Sequence, residues 1–315
     1  MRHDDENRRP GEDGVDRRGF LDCMRWAGAG LIWTAGGGLP RSVGLANAFA
    51  EPAAFSFAQI SDSHIGFSKA ANPDARATLA QAIDRIRALP QKPDFMLHTG
   101  DVTHLSRAQE FDDADAIIKA AGIPVFFVPG EHDFIDDEPG RLFLARYGEG
   151  SSGLGWRSFD ARGLHFIGLV NVANLQGGGL GALGAEQLDW LRRDVAGLPS
   201  STPIVVFAHI PLWTVYPDWG WGTADGAAAL AALGRFGSVT VLNGHIHQVM
   251  QKVEGRVAFH TARSTAFPQP APGSAPSPGP MLLPAGELRK SLGVATVTFS
   301  RADEPLAIVD APLAG

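Results

Sequence analysis

Ala54-Phe55-Ser56-Phe57-Ala58-Gln59-Ile60 runs directly into Ser61-Asp62-Ser63-His64, so a short apolar segment ends in a cluster of polar side chains. The segment has the length and composition of a buried strand. The pattern recurs twice. Phe95 to His98 ends in Thr99-Gly100-Asp101, and Val125 to Val128 ends in Pro129-Gly130-Glu131-His132-Asp133. Between the first two runs, Asn72-Pro73 offers an N-cap and a first-turn proline for a helix with Leu79, Ala82, Ile83 and Ile86 on one face, stopped by Pro90 and Pro93. Between the second and third, Ser106 with Gln109 reads as a capping box that opens a helix striped by Phe111, Ala114 and Ile118. This β-α-β-α-β order predicts a parallel sheet with right-handed crossovers.

Outward from that core the chain becomes strand-rich. Leu164 to Val170 and Ile204 to Ala208 are apolar runs separated by a helix with Leu188, Leu191 and Val195 on one face. A short helix from Gly226 to Phe236 leads into Val239 to Leu242. Gln248 to Ala262 has the form of a hairpin turning at Glu254-Gly255. Val294 to Phe299 and Leu306 to Val309 are expected to complete a second sheet. Residues 267–286 are crowded with proline and glycine and predict a surface loop without regular structure.

The 315 residues carry a net charge of −7, and no basic stripe with interleaved aromatics is present, which argues against a nucleic-acid polymer as partner. The single cysteine, Cys23, leaves the folded part without a disulfide or thiolate metal site. Asp16-Arg17-Arg18-Gly19-Phe20-Leu21 precedes a weakly apolar, Gly- and Ala-rich run from Trp26 to Leu39, with small-residue cleavage sites near residues 46–50. This resembles a twin-arginine export signal, which implies an encounter with the twin-arginine machinery and a periplasmic or otherwise exported destination. The run is too short and glycine-rich for stable membrane insertion. Residues 1–50 are therefore set apart as signal and N-terminal tail, and residues 51–315 as one catalytic domain.

Five strands are each followed by a side chain able to bind a metal. They give Asp62, His64, Asp101, Glu131, His209 (after the Ile204 strand) and the pair His245 and His247 (after the Val239 strand). In an open α/β sheet such groups converge at the carboxyl ends of the strands. Mixed His and carboxylate donors suit Mn, Fe, Zn or Co. Seven donors exceed the three or four that one open ion needs, and two ions sharing one carboxylate match the count. Ions roughly 4 Å apart are the arrangement that cleaves phosphate esters by in-line displacement.

The series Asp62-x-His64, Gly100-Asp101, Gly130-Glu131-His132-Asp133, His209 and Gly244-His245-x-His247 resembles the calcineurin-like metallophosphoesterase family, over about Phe55 to Val249 and in the family's order. The resemblance is general toward the cyclic-nucleotide phosphodiesterase branch. It implies an α/β fold, a two-sheet β-sandwich flanked by helices. It also implies that Asp62, His64, Asp101 and His247 hold one ion, and Asp101, Glu131, His209 and His245 the other. His132 would contact the scissile phosphate or protonate the leaving oxygen, with Asp133 steering its ring. Glu131 departs from the pattern, since the family usually has Asn there. The reaction implied is hydrolysis of a small phosphodiester or phosphomonoester by a metal-bound hydroxide. The competing reading is a non-enzymatic periplasmic protein that keeps the fold to bind a metal or ligand.

Other residues invite plainer readings. His98, inside an apolar strand, is expected to be a hydrogen-bonded core histidine. His104 reads as a solvated loop neighbour of Asp101, and His165 and His260 as strand residues without a partner motif. Trp213, Tyr216, Trp219 and Trp221 crowd a loop beside the metal edge, placed there either to contact substrate or to pin the loop.

Overall fold

In the computed structural model, residues 55–299 and 306–314 are described. The twin-arginine segment, Cys23 and the candidate cleavage sites lie outside the described residues. The chain forms strands β1 (Phe55–Ile60), β2 (Phe95–His98), β3 (Val125–Phe127), β4 (Arg157–Ala161), β5 (Leu164–Gly168), β6 (Ile204–Phe207), β7 (Val239–Asn243), β8 (Gln251–Glu254), β9 (Val257–Thr261), β10 (Gly293–Phe299) and β11 (Ala307–Pro312). The α-helices are α1 (Ala75–Arg87), α2 (Ala108–Ile118), α3 (Arg141–Tyr147), α4 (Ala185–Val195), α5 (Gly226–Ala232) and α6 (Leu288–Ser291).

β1, β2 and β3 pair in parallel, as their connections demand, within a five-stranded sheet of order β11-β10-β1-β2-β3. The second sheet has six strands in the order β4-β5-β6-β7-β9-β8. The period-two alternation of each strand sorts side chains between layers. Phe57, Phe95 and Leu97 of the first sheet meet Phe166, Val205 and Phe207 of the second in one core, where Phe57 stacks on Phe95 with ring centroids 5.2 Å apart. Ala58, Ile60 and Met96 face the other way, against Leu79, Ile83 and Phe111 of α1 and α2. Leu188 and Leu191 of α4 and Ala229 of α5 cover the outer face of the second sheet. The result is the expected helix-sheet-sheet-helix layering.

Several local expectations are corrected. β10 and β11 join the first sheet, not the second, with β10 antiparallel to β1 from Phe55 opposite Phe299. β1 is buried at every residue, so its free edge needs backbone partners that water cannot supply. β4 is an additional strand, paired with β5 across a tight turn in which Arg162 (φ 52°) and Gly163 (φ 85°) are both left-handed. The cap of α1 is Asp74, whose carboxylate accepts from Ala77 N at 2.9 Å; Asn72 instead donates to the Ala266 carbonyl at 2.7 Å. α2 starts after Arg107, and its first-turn acid Glu110 accepts from Leu105 N at 2.8 Å, while Ser106 donates its hydroxyl to the His132 carbonyl at 2.8 Å. No helix among the described residues is long and apolar enough to cross a membrane.

Candidate metal centre

The segments following β1, β2, β3, β6 and β7 meet at the carboxyl edges of the two sheets, and they bring all seven predicted donors together. Within each of the groups Asp62–His64–His247, Glu131–His209–His245 and Asp62–Asp101–His209, donor atoms lie within 4.8 Å of one another. The chain turns sharply as it leaves the strands. Asp62 (φ 53°), His64 (41°), Asp101 (53°), His245 (68°) and His247 (54°) all occupy the left-handed region. Each such residue costs about 1 kcal/mol or more, so surrounding structure must hold them there. The holding contacts are visible. Asp62 N and His64 N donate to the carbonyls of Gly100 and Asp101, both at 2.9 Å, and Gly244 N donates to the His209 carbonyl at 3.0 Å. These close crossings also explain two glycines: a Cβ on Gly100 would strike the His209 ring, and one on Gly244 would strike the Ser61 hydroxyl.

The tautomers follow from the partners. His209 Nδ1 donates to the Thr99 carbonyl at 2.7 Å, and His247 Nδ1 to the Phe267 carbonyl at 2.6 Å. A carbonyl only accepts, so each Nδ1 carries the proton and each Nε2 a lone pair. These lone pairs face other acceptors. His209 Nε2 lies 2.9 Å from Glu131 Oε2, and His247 Nε2 lies 3.2 Å from Asp62 Oδ1 and 3.3 Å from His64 Nε2. His209 Nε2, both ring nitrogens of His245 and Glu131 Oε2 are buried without a hydrogen-bond partner. Buried acceptors aimed at one another are costly unless a cation lies among them, and His with carboxylate suits a divalent transition ion. The donor set fits a metal site. Asp101 stands in the middle, its Oδ2 being 3.4 Å from His64 Nε2 and 3.5 Å from His209 Nε2.

The electrostatics agree. Burial opposes a charge on His209, but Asp101 and Glu131 outweigh it and push its pKa well above the usual imidazole value; a proton there occupies the place of a cation. Burial raises the Asp62 carboxyl, yet His247 and His209 outweigh it and bring its pKa down to about 2. His64 is held well below its ordinary value by burial and by the neighbouring His132 and His247 rings.

His132 sits at the rim, where its backbone N–H donates to Asp101 Oδ1 at 2.9 Å. Its ring is not steered by Asp133. Nδ1 of His132 donates to the His104 carbonyl at 2.7 Å, which leaves Nε2 free. Asp133 is fully buried and accepts from Thr103 N (2.8 Å), Val102 N (3.0 Å) and Gly130 N (3.0 Å), so it ties the loop after β2 to the loop after β3. The Thr103 hydroxyl also donates to Asp133 Oδ1 at 2.8 Å, so four donors occupy the carboxylate's lone pairs and none is left for the His132 ring. Burial and Asp101 raise the Asp133 pKa to about 6.

His104 is nearer the chemistry than its sequence suggests. Its ring stacks on His132 with centroids 4.8 Å apart, and its Nδ1 approaches His64 Nδ1 at 3.4 Å. The usable signal was its position three residues after Asp101, on the same short loop. His98 is the expected core histidine, bonded to Ser63 Oγ at 2.8 Å and lowered by burial to about 3. His165 and His260 lie elsewhere, paired with Asp194 at 2.8 Å and Asp310 at 2.9 Å. Beside the donors opens a cleft of about 340 Å³, walled by Phe67, Trp219, Trp221, Phe267 and the proline-rich loop at Pro278. Trp213 is directed elsewhere, against Phe259.

A profile of the calcineurin-like phosphoesterase family matches residues 55–249, which span every donor. The chain belongs to that family. It is a metallophosphoesterase, a phosphoric ester hydrolase of a metal-dependent kind. It is 26% identical over 212 residues to a probable glycerophosphodiester phosphodiesterase, GpdQ, of Arcobacter nitrofigilis, covering 65% of this chain and 77% of the relative. It is 25% identical over 218 residues to a 3',5'-cyclic-nucleotide phosphodiesterase of Nostoc sp., covering 67% and 79%. A dimetal phosphatase from Danio rerio has the same fold, with a TM-score of 0.57 and 15% identity over 81% of this chain and 98% of that one.

Proposed function

We propose that the protein is a dinuclear phosphodiesterase acting on a small phosphodiester. The observation that carries this reading is the position of Asp101 between the two donor groups, with Oδ2 3.4 Å from His64 Nε2 and 3.5 Å from His209 Nε2. One ion would be held by Asp62, His64, Asp101 and His247, and the other by Asp101, Glu131, His209 and His245. When bound, such a pair supplies Lewis acidity and a nucleophile at neutral pH. The chain's own residues do the rest. Burial opposes a charge on His132, but Asp101 and Glu131 outweigh it and raise its pKa. The ring as an imidazolium, with Nδ1–H committed to the His104 carbonyl, would hand its Nε2 proton to the departing ester oxygen. Asp133 keeps the loops carrying Asp101 and His132 in register. The phosphodiesterase names of the two sequence relatives support a diester over a monoester.

The test is turnover of bis-p-nitrophenyl phosphate with added Mn, together with metal analysis of the purified protein. Two ions per chain and loss of turnover in Asp101→Ala are expected. Fully active protein holding a single ion would overturn the dinuclear reading.

Export through the twin-arginine route belongs to the same proposal, supported by Arg17-Arg18-Gly19-Phe20-Leu21 and the apolar run that follows. Changing Arg17 and Arg18 to Lys should leave the precursor inside the cell; unimpaired export of that variant would remove the basis for a periplasmic location.

A further inference from the structure

The metal donors occupy only one side of the cleft. The remaining wall is apolar and aromatic, formed by Phe67, Leu175, Trp219, Trp221, Phe267 and Pro278, with Lys69 as the lone lysine and no arginine among the lining residues. A wall of this kind offers few partners to the several hydroxyls of a glycerol or sugar and little to a second phosphate. It offers a large apolar area to a flat ring.

Trp219 is the member built most firmly for this use. It ends a turn of 3-10 helix, Pro217–Trp219, and the following Gly220 is left-handed (φ 71°). Its ring meets Tyr216 and the fully buried Trp221 edge to face, with centroids 5.1 Å apart in each case. The loop behind it is zipped to the loop before α4: Gly181 N donates to the Gly222 carbonyl at 2.9 Å, and Ala224 N to the Gly181 carbonyl at 2.8 Å. A Cβ on Gly220 would come 2.7 Å from the Gly179 carbonyl, so glycine is what permits this approach. The proline-rich loop closes on the same trio, since a Cβ on Gly273 would lie 3.3 Å from the Tyr216 hydroxyl. Trp219 is thus half-buried, braced from two sides and open to the cleft.

One polar group waits beside this surface. Gln269, one of the residues lining the cleft, donates its amide to the His245 carbonyl at 3.1 Å and leaves its Oε1 buried and unpartnered. A buried acceptor without a donor is expensive, and a ligand N–H or O–H would satisfy it.

We infer that Trp219, with the proline-rich loop around Pro278, forms a slot that receives a flat aromatic or heteroaromatic ester group of the substrate, with Gln269 Oε1 accepting a hydrogen bond from that group. Trp219 is a specificity-determining residue. The inference rests on the phosphodiesterase reading and narrows it: diesters of ring-bearing alcohols are preferred to diesters of aliphatic alcohols.

The experiment uses two uncleavable monoanions, diphenylphosphinate and diethylphosphinate, titrated calorimetrically into Mn-loaded protein. The wild type should bind the diphenyl compound about tenfold more tightly or better. Trp219→Ala should lose most of that preference and Trp219→Phe should keep most of it. Gln269→Leu, an independent variant away from the aromatic trio, should weaken a bis-p-aminophenylphosphinate more than diphenylphosphinate. Equal affinities in the wild type, or a preference unchanged by Trp219→Ala, would overturn the slot while hydrolysis of bis-p-nitrophenyl phosphate left the parent reading intact. Absence of that hydrolysis, with neither phosphinate bound, would remove both.

Discussion

Glu131 places a third carboxylate beside Asp62 and Asp101. Burial disfavours its charge, but His245 and His209 outweigh burial and hold its pKa well below the usual value, so it is ionised at neutral pH. Glu131→Asn therefore raises the charge of the site by one, whatever else is bound there. A phosphomonoester near neutral pH is largely a dianion and a diester is a monoanion, so the change favours the monoester by one extra charge-charge interaction. At about 5 Å and an effective dielectric near 20, that interaction is worth about 3 kcal/mol before screening. The ratio of kcat/KM for a matched monoaryl and bis-aryl phosphate should rise toward the monoester by about tenfold or more in Glu131→Asn, with metal content checked in both proteins. An unchanged ratio at full occupancy would make Glu131 a plain substitute for an amide oxygen. At this scale the sequence disclosed the donor types and their order, because each donor follows an apolar run directly. It did not disclose that five of them are left-handed, or that His132 is oriented by the His104 carbonyl, because both depend on which loops cross in space.

Elements repeat the lesson with different physics. The β-α-β-α-β run from β1 to β3 was legible because period-two and helical stripes alternate within one continuous stretch. The placement of β10 and β11 was not, because nothing local to an antiparallel strand records which distant edge it will cover. β4 escaped notice for a related reason: its side chains are largely half-exposed, so no apolar run announces it. What fastens it is His165 on β5, whose Nδ1 lies 2.7 Å from Asp160 of β4 and whose Nε2 lies 2.8 Å from Asp194 of α4. Burial disfavours the imidazolium, but the hydrogen bonds from Asp194 and Asp160 outweigh it and raise the pKa. A folded pKa above the unfolded value near 6.5 gives stability that is fully present below about pH 6.5 and is lost as pH climbs through the raised value. His165→Asn should cost about 1–2 kcal/mol at pH 6, discounted because Asp160 is largely exposed, and clearly less at pH 9. Urea midpoints of both proteins at the two pH values measure this; a pH-independent difference would mean that the ring is held neutral.

Across the whole molecule, the donors are divided between the two layers. Asp62, His64, Asp101 and Glu131 follow strands of the first sheet, and His209, His245 and His247 follow strands of the second. The aromatic core between the layers holds the sheets together along their length, but at the carboxyl edge the facing groups are three carboxylates and four imidazoles. Without a cation, or a proton in its place, that edge carries buried acceptors at about 3 Å from one another, as for His209 Nε2 and Glu131 Oε2 at 2.9 Å. Metal held there would cross-link the sheets and, as it would bind only the folded chain, would stabilise it by mass action, by about 4 kcal/mol when free metal is a thousandfold above its dissociation constant. Removing them with a chelator should lower the melting temperature of the wild type by several degrees, and added Mn should restore it. Asp101→Ala, which removes the donor lying between the two groups, should melt at nearly the same temperature with or without Mn. That comparison separates metal linkage from a direct effect of the chelator. A wild-type melting temperature indifferent to chelation would show that the sandwich closes at this edge without ions, and the donors would then have to be held by the loop crossings at Gly100 and Gly244 alone.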